Sequence, residues 1–335
     1  MKKYISYFIL LGTVLLSGAC NDEWEDEIYR KDIGLKAVIN SQGVTNVYLP
    51  YKADGEVIYQ LPVIVGGSKT NDTDLDVQIA VDPDTLVSLN ENRWKHRKDL
   101  YYLLLHHKFY EFPSPTCHIE AGTNVGLYDI KFKFANLNLT EKWVLPLTIV
   151  DSPDYNPNPR KNYRKALLRI MPYNDYSGTY AATNMEVYLE NNTSPTTIDS
   201  RNLYVVSENQ CFFYPGIISE ELIEREKYKV ILTFNEDGTV TAIPADPDNE
   251  MKFELAEDAS YETSVTPDAT YPYIEHHYTI IRMSYKYKDI TTYENHAINY
   301  RVQGNMLMER KINTLVPEQD LSLIHISEPT RLDVI

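Results

Sequence analysis

Cysteine is scarce in this 335-residue chain, with three in all, so neither a dense disulfide scaffold nor a multi-cysteine metal site can organise the fold. Glycine (13) and proline (18) are too few for a collagen-like or low-complexity chain. No apolar run reaches the about 20 residues with which a helix spans a bilayer. Positive charge is short as well. With 32 Lys and Arg against 48 Asp and Glu the net charge is −16, which repels a phosphate backbone and sets nucleic acid aside as a partner. The usual catalytic fingerprints are missing: no HExxH, CxxC, Walker loop, serine nucleophile elbow or dinucleotide-binding glycine pattern occurs. What remains is a globular chain too long for one hydrophobic core, which commonly serves about 100–200 residues, so two domains are expected.

Both ends read as lying outside the fold. Lys2 and Lys3, the apolar run Ile5 to Leu16, and the small Ser17, Gly18 and Ala19 before Cys20 resemble a bacterial lipoprotein signal. Residues 1–19 are therefore expected to be removed and the Cys20 thiol to carry lipid, although Leu16 stands four residues before the cysteine instead of the usual three. Residues 20–30 form an acidic tether, with Asp22, Glu23, Glu25, Asp26 and Glu27 around Trp24. It resembles the export signal that sends Bacteroidetes-type lipoproteins to the outer face of the outer membrane, so membrane contact is expected through the lipid alone. At the other end, Leu321 to Arg331 reads LSLIHISEPTR, the translation of a transposase-end sequencing adapter. Residues 321–335 are accordingly expected to be an assembly artefact, with a different natural continuation after Asp320.

Between these ends, period-two alternation dominates and predicts an all-β protein. Val57 to Val65, Leu75 to Val81, Tyr128 to Phe134, Trp143 to Val150 and Ala166 to Met171 read as strands of an Ig-like β-sandwich over residues 31–173. One stretch departs from the pattern. Leucines 86, 89, 100, 103 and 104 are spaced closer to a helix, which predicts a helical excursion over Asp84 to Tyr110 with Asp84 and Asp99 as N-caps. The second domain, 174–320, carries short strands at Gly178 to Leu189, Leu203 to Val206, Cys211 to Tyr214, Tyr228 to Phe234, Thr239 to Ile243 and Met251 to Leu255. Two long strands around Ile281 to Lys288 and Ile298 to Glu309 follow. Antiparallel strands in sequence order suit a lipocalin-like barrel better than a second sandwich.

Few residues offer chemistry. Asp72, Asp74 and Asp76 look like a calcium loop, but Val77 and Pro83 occupy the positions that would need Gly and Glu, so they read as a turn entering a strand. His106 with His107 and His276 with His277 are sequence neighbours whose side chains diverge, so no metal site and no cofactor are expected. Cys117 and Cys211 lie in apolar strand-like runs of different domains and read as buried free thiols. Tyrosine is the exception. There are 27 Tyr against 9 Phe, so most aromatic area carries a hydroxyl. Most of it is expected to pack within sheets. Rings left on loops could stack on the C–H face of a pyranose, and the candidates are Trp94, Tyr101 and Tyr102 in the helical excursion and Tyr271, Tyr273 and Tyr293 near the ends of the long strands.

Ala80 to Leu86, the strand Trp143 to Ile149 and Asn158 to Tyr163, preceded by the acidic tether, resemble the family called domain of unknown function 1735. Asn174 to Tyr180 and Met308 to Thr314 resemble its frequent companion, domain of unknown function 4361. The resemblance implies a component of a starch-utilisation-like system, whose surface proteins capture glycans for an outer-membrane transporter. A non-catalytic glycan-binding lipoprotein is the leading expectation. The alternatives are an interaction subunit that docks on the transporter or on a surface enzyme, and a glycan hydrolase with an unrecognised carboxylate pair.

Overall fold

The computed structural model describes residues 29–53, 55–293 and 296–315; Cys20, most of the acidic tether and residues 321–335 lie outside the described residues. In the first half the strands are β1 (Ile33–Leu35), β2 (Thr45–Pro50), β3 (Glu56–Val65), β4 (Leu75–Val81), β5 (Leu103–Leu104), β6 (Tyr110–Glu111), β7 (Thr116–Ile119), β8 (Val125–Lys133), β9 (Trp143–Ile149) and β10 (Lys165–Tyr173). They form two sheets, ordered β1-β3-β8-β6 and β2-β10-β9-β4-β7, with β5 also beside β9. Alternation decides which residues face inward. β3 buries Val57, Tyr59, Leu61 and Val63 opposite Phe132, Ile130, Tyr128 and Gly126 of β8. Val77, Ile79, Leu145, Leu147, Ile149, Leu168 and Ile170 of the other sheet join them in one core. Each such side chain contributes about 1.5–3 kcal/mol by leaving water, enough in sum to hold two sheets face to face as a sandwich.

The helical excursion is shorter than its leucine spacing predicts. Helix α1 covers only Pro83–Trp94, with Asp82 at its N-cap; Asp84 lies in the first turn and Asp99 in a 3-10 turn at Lys98–Leu100. Proline at the first helical position fits, because its missing N–H would have no partner there anyway. The chain then reverses at Lys95, whose φ is 50°. Asn90 fastens the returning segment by giving its side-chain amide to the Tyr102 carbonyl (2.9 Å) and accepting the Tyr102 N–H (3.0 Å). Leu100 and Tyr102 are therefore buried by a tertiary contact and not by helical periodicity. Leu86, Tyr102, Val44, Val144 and Leu167 make a small second core on the outer face of the β9–β10 sheet.

The second half has β11 (Gly178–Ala181), β12 (Met185–Leu189), β13 (Thr196–Thr197), β14 (Ser200–Ser207), β15 (Gln210–Phe213), β16 (Val230–Phe234), β17 (Thr239–Pro244), β18 (Glu254–Leu255), β19 (Ala259–Pro267), β20 (Ile274–Tyr293) and β21 (His296–Asn313). Running β11, β14, β15, β16, β17, β19, β20, β21, each strand pairs antiparallel with the next. The Ala181–Leu307 pair then brings β21 back to β11, so this is a closed up-and-down barrel and not a second sandwich. The single strand expected over Gly178 to Leu189 is broken into β11 and β12. Gly304 (φ 136°) permits the break, since a Cβ there would collide with the Asn184 carbonyl.

The barrel interior is filled. Ile281, Met283, Tyr285 and Tyr287 alternate inward along β20, and the loop Tyr214 to Ile218 is drawn over them. The Tyr285 hydroxyl accepts the Gly216 N–H (2.9 Å) and that of Tyr287 accepts the Ile217 N–H (3.2 Å). Tyr180 donates to the Tyr176 carbonyl (2.7 Å). Tyrosine thus supplies ring volume while its hydroxyl satisfies backbone groups that burial would otherwise strand. Cys117 and Cys211 are buried free thiols, one in each core.

Candidate functional site

With the barrel axis occupied by side chains, the candidate rings lie outside it, in two aromatic clusters that differ in kind. The first is the loop between β19 and β20. Asp268 shapes it: its Oδ1 accepts the N–H groups of Thr270 and Tyr271, both at 2.8 Å, an Asx-type turn that sets the loop's direction. The Ile274 N–H closes on the Tyr271 carbonyl (2.8 Å), and the Thr314 N–H ties the Tyr273 carbonyl to the end of β21 (2.8 Å). Tyr271 and Tyr273 are thereby held with ring centroids 5.8 Å apart and stay 51% and 36% exposed.

Beneath them His276 is clamped between two carboxylates. Its Nε2 meets Asp268 Oδ2 at 2.9 Å and its Nδ1 meets Glu309 Oε1 at 2.5 Å. The bonds to Asp268 and Glu309 raise the imidazole pKa above its ordinary value, and the imidazole and loop N–H groups pull Asp268 down to about 2. A protonated ring donating to both carboxylates satisfies all three groups. Asp268, held well below the usual carboxylate range, is ionised at neutral pH and acts as an acceptor. As a hydrogen-bond acceptor beside two exposed rings it suits sugar hydroxyls.

The adjacent histidine points elsewhere. His277 bonds Glu275 (2.9 Å) from the opposite face of the strand. The aspartate series has local duties: Asp72 pairs with Lys31 (2.7 Å), Asp74 accepts the Ala121 N–H (2.8 Å) and Asp76 meets His118 (2.9 Å). Among the described residues no group of three or more His, Cys, Asp or Glu is placed so that it could hold a metal ion.

The second aromatic site is Trp94 with Tyr101 and Tyr102. Tyr102 is 3% exposed and cannot serve as a platform; its ring is part of the small core under α1, edge-on to Trp94 at 4.8 Å. Tyr101 is half-buried, 6.4 Å from Trp94, with its hydroxyl spent on the Lys95 carbonyl (2.6 Å). Trp94 is also half-buried, and its ring has cations near it, Arg93 at 5.4 Å and Lys142 at 5.8 Å. This is a charged aromatic corner, different from the open pair at Tyr271 and Tyr273.

Tyr293, 59% exposed, belongs to neither. It ends β20, while Tyr273 immediately precedes that strand's start, so at about 3.3 Å per residue the two rings stand on the order of 60 Å apart. The six candidates therefore split into an exposed pair, a partly covered cluster and one isolated ring. Sequence reasoning considered His276 only beside His277 and missed Asp268 and Glu309, because β20–β21 register, which sets His276 opposite Lys311 and beside Glu309, joins residues 33 apart.

A family model described as a domain of unknown function, DUF4973, matches residues 24–153, and a second, described as a C-terminal domain, matches residues 164–307. Among solved structures, a Bacteroides ovatus protein of unknown function is 44% identical, with 87% of this chain and 98% of that one covered and a TM-score of 0.77. A Bacteroides ovatus multidomain protein including DUF1735 is 43% identical with the same coverage and TM-score. An auxiliary nutrient binding protein from Bacteroides thetaiotaomicron is 35% identical, covering 86% of this chain and 99% of its own, with a TM-score of 0.75. No curated protein matches.

Proposed function

The chain belongs to the same family as these Bacteroides proteins, and from that premise we propose that it is a non-catalytic, glycan-binding surface lipoprotein. In this reading Cys20 carries the lipid, residues 20–30 lead away from the outer membrane towards the exterior, and the two β modules present a sugar to an outer-membrane transporter of a polysaccharide-utilisation system. The first module matches the DUF4973 model where the sequence resembled domain of unknown function 1735, which a 43% identical relative includes, and the second matches a C-terminal domain model. The observation that carries the reading is the Tyr271–Tyr273 pair, exposed, mutually fixed and edged by the Asp268 carboxylate. The nutrient-binding description of a 35% identical relative supports it.

Isothermal titration of residues 21–320 with a panel of host and plant glycans tests it. Shallow platforms of this kind give dissociation constants of roughly 10 μM to 1 mM, about −4 to −7 kcal/mol. Silence across a broad panel counts against the reading, and release of shorter products would replace it with a hydrolase. The anchor is tested separately, by incorporation of labelled palmitate at Cys20 and by accessibility of the protein on intact cells to added protease.

A further inference from the structure

The outer face of the sandwich's second sheet carries an arrangement that packing does not explain. Arg169 of β10 lies directly opposite Val144 of β9, and Lys142 precedes Val144 by two residues. Lys142 stands immediately before β9, and the strand's alternation carried back to it puts it on the face of Val144 and Arg169. Both lean on the same pair of rings: the Lys142 ammonium sits 5.8 Å from the centroid of Trp94, and the Arg169 guanidinium 5.8 Å from that of Tyr102. Those rings are themselves in edge contact at 4.8 Å.

Neither cation has a carboxylate. Among the described residues Lys142 and Arg169 form no ion pair, and the side-chain partner of Arg169 is the neutral Gln42 Oε1 (3.2 Å), which also accepts from the Tyr102 hydroxyl (3.0 Å). In a chain of net charge −16, two unpaired cations held together are not a product of composition. Of the charges facing them from the second half, Arg225 and Glu220 are already engaged, while Glu221 draws on Lys142 without forming an ion pair with it. Arg225 gives its guanidinium to Asp99 (3.5 Å) and to the Asp99 carbonyl (2.8 Å). Glu220 accepts from the Tyr204 hydroxyl (2.5 Å) and the Asn202 amide (3.1 Å). Burial and the nearby Arg169 and Arg225 push the Lys142 pKa down, against weaker opposing pulls from Glu221 and Glu220. Like charges crowded in a half-buried corner are costly until an anion joins them.

We propose that Lys142 and Arg169, backed by Trp94 and Tyr102, form a second ligand site that takes the anionic group of an acidic sugar, a uronate carboxylate or a sulfate ester. Both cations and Trp94 are half-buried, so the corner is reachable from solvent. Trp94 has cations at its ring, which suits a charged sugar better than the neutral face of a pyranose. The proposal rests on the reading of the protein as a glycan binder and adds the charge class of the ligand.

Titrating the chain from residue 21 onward with three matched oligosaccharides, uronate-containing, sulfated and neutral, tests it. Wild-type protein should favour at least one acidic arm over the neutral one by tenfold or more, and the arm that binds identifies the anion. Lys142→Gln and Arg169→Gln should each weaken that arm about tenfold and leave neutral binding unchanged. As a control independent of the variants' folding, acidic-arm affinity should fall with added salt while neutral affinity does not. Equal binding of all three arms, or acidic binding insensitive to salt and to both substitutions, overturns this inference and leaves the glycan-binding reading standing. Silence in all three arms and in the broad panel defeats both.

Discussion

Tyr228 and Asp289 meet inside the barrel, the phenol hydroxyl donating to the carboxylate across 2.9 Å although 61 residues separate them. The same hydroxyl accepts the Ile290 N–H at 2.8 Å, so one oxygen ties the start of β16 to the far end of β20. Burial works to raise the Asp289 pKa, but bonds from Thr292, Thr291 and Tyr228 outweigh it and hold the carboxyl below its ordinary value. Tyr228→Phe keeps the ring and removes both of these bonds and the 2.8 Å contact to the Thr291 hydroxyl, leaving a part-buried N–H without its partner. It should lower unfolding free energy by about 1–3 kcal/mol. Urea denaturation reads this directly, and an unchanged midpoint would show that water replaces the hydroxyl at no cost.

At the aromatic loop, Tyr271→Ala and Tyr273→Ala should each weaken neutral glycan binding at least fivefold while leaving the melting temperature within about 2 °C, because exposed positions away from the core contribute within about ±0.5 kcal/mol. Tyr293→Ala, at the opposite end of the ribbon, should change neither. Titration beside thermal melting separates the outcomes. Equal loss at Tyr293 would dissolve the assignment of the site to this loop.

The His276 clamp gives the loop a pH window. The imidazole pKa lies above 6.5 when folded, so its contribution is complete below 6.5 and is lost as pH rises through the raised value. Asp268 is depressed from 3.8 to about 2, so its contribution is present above 3.8 and fades as pH falls towards 2. Amide protection in Asp268 to Ile274 should therefore be greatest between these limits and decline on the alkaline side. His276→Gln should abolish the alkaline decline. An NMR titration placing the His276 midpoint at or below 6.5 would show that the clamp is not made in solution.

Strands with one dry and one wet face were legible from alternation alone, as β3, β4 and β8 illustrate. β19 was not, because beyond Tyr261 it is exposed on both faces and ETSVTP carries no inward period. The sequential run of antiparallel strands pointed to a barrel, but the break at Gly304 that divides β11 from β12 depends on a backbone approach with no side chain to announce it. Tyr271 and Tyr273 were readable as exposed candidates from their loop position. Tyr102 was misread because tyrosine is equally at home inside and outside, and only the Asn90 contact decides between them. Lys142 and Arg169 are 27 positions apart and converge only through strand register, which composition cannot supply.

The ring closes where the last strand returns to the first, at Ala181 and Leu307. Domains made vectorially fold as units from the amino terminus. The sandwich has all its strands once Tyr173 has emerged, whereas the barrel module is an unfinished sheet with two open edges until β21 arrives. Until β21 is made, then, the second half is the portion of the chain whose open strand edges invite aggregation.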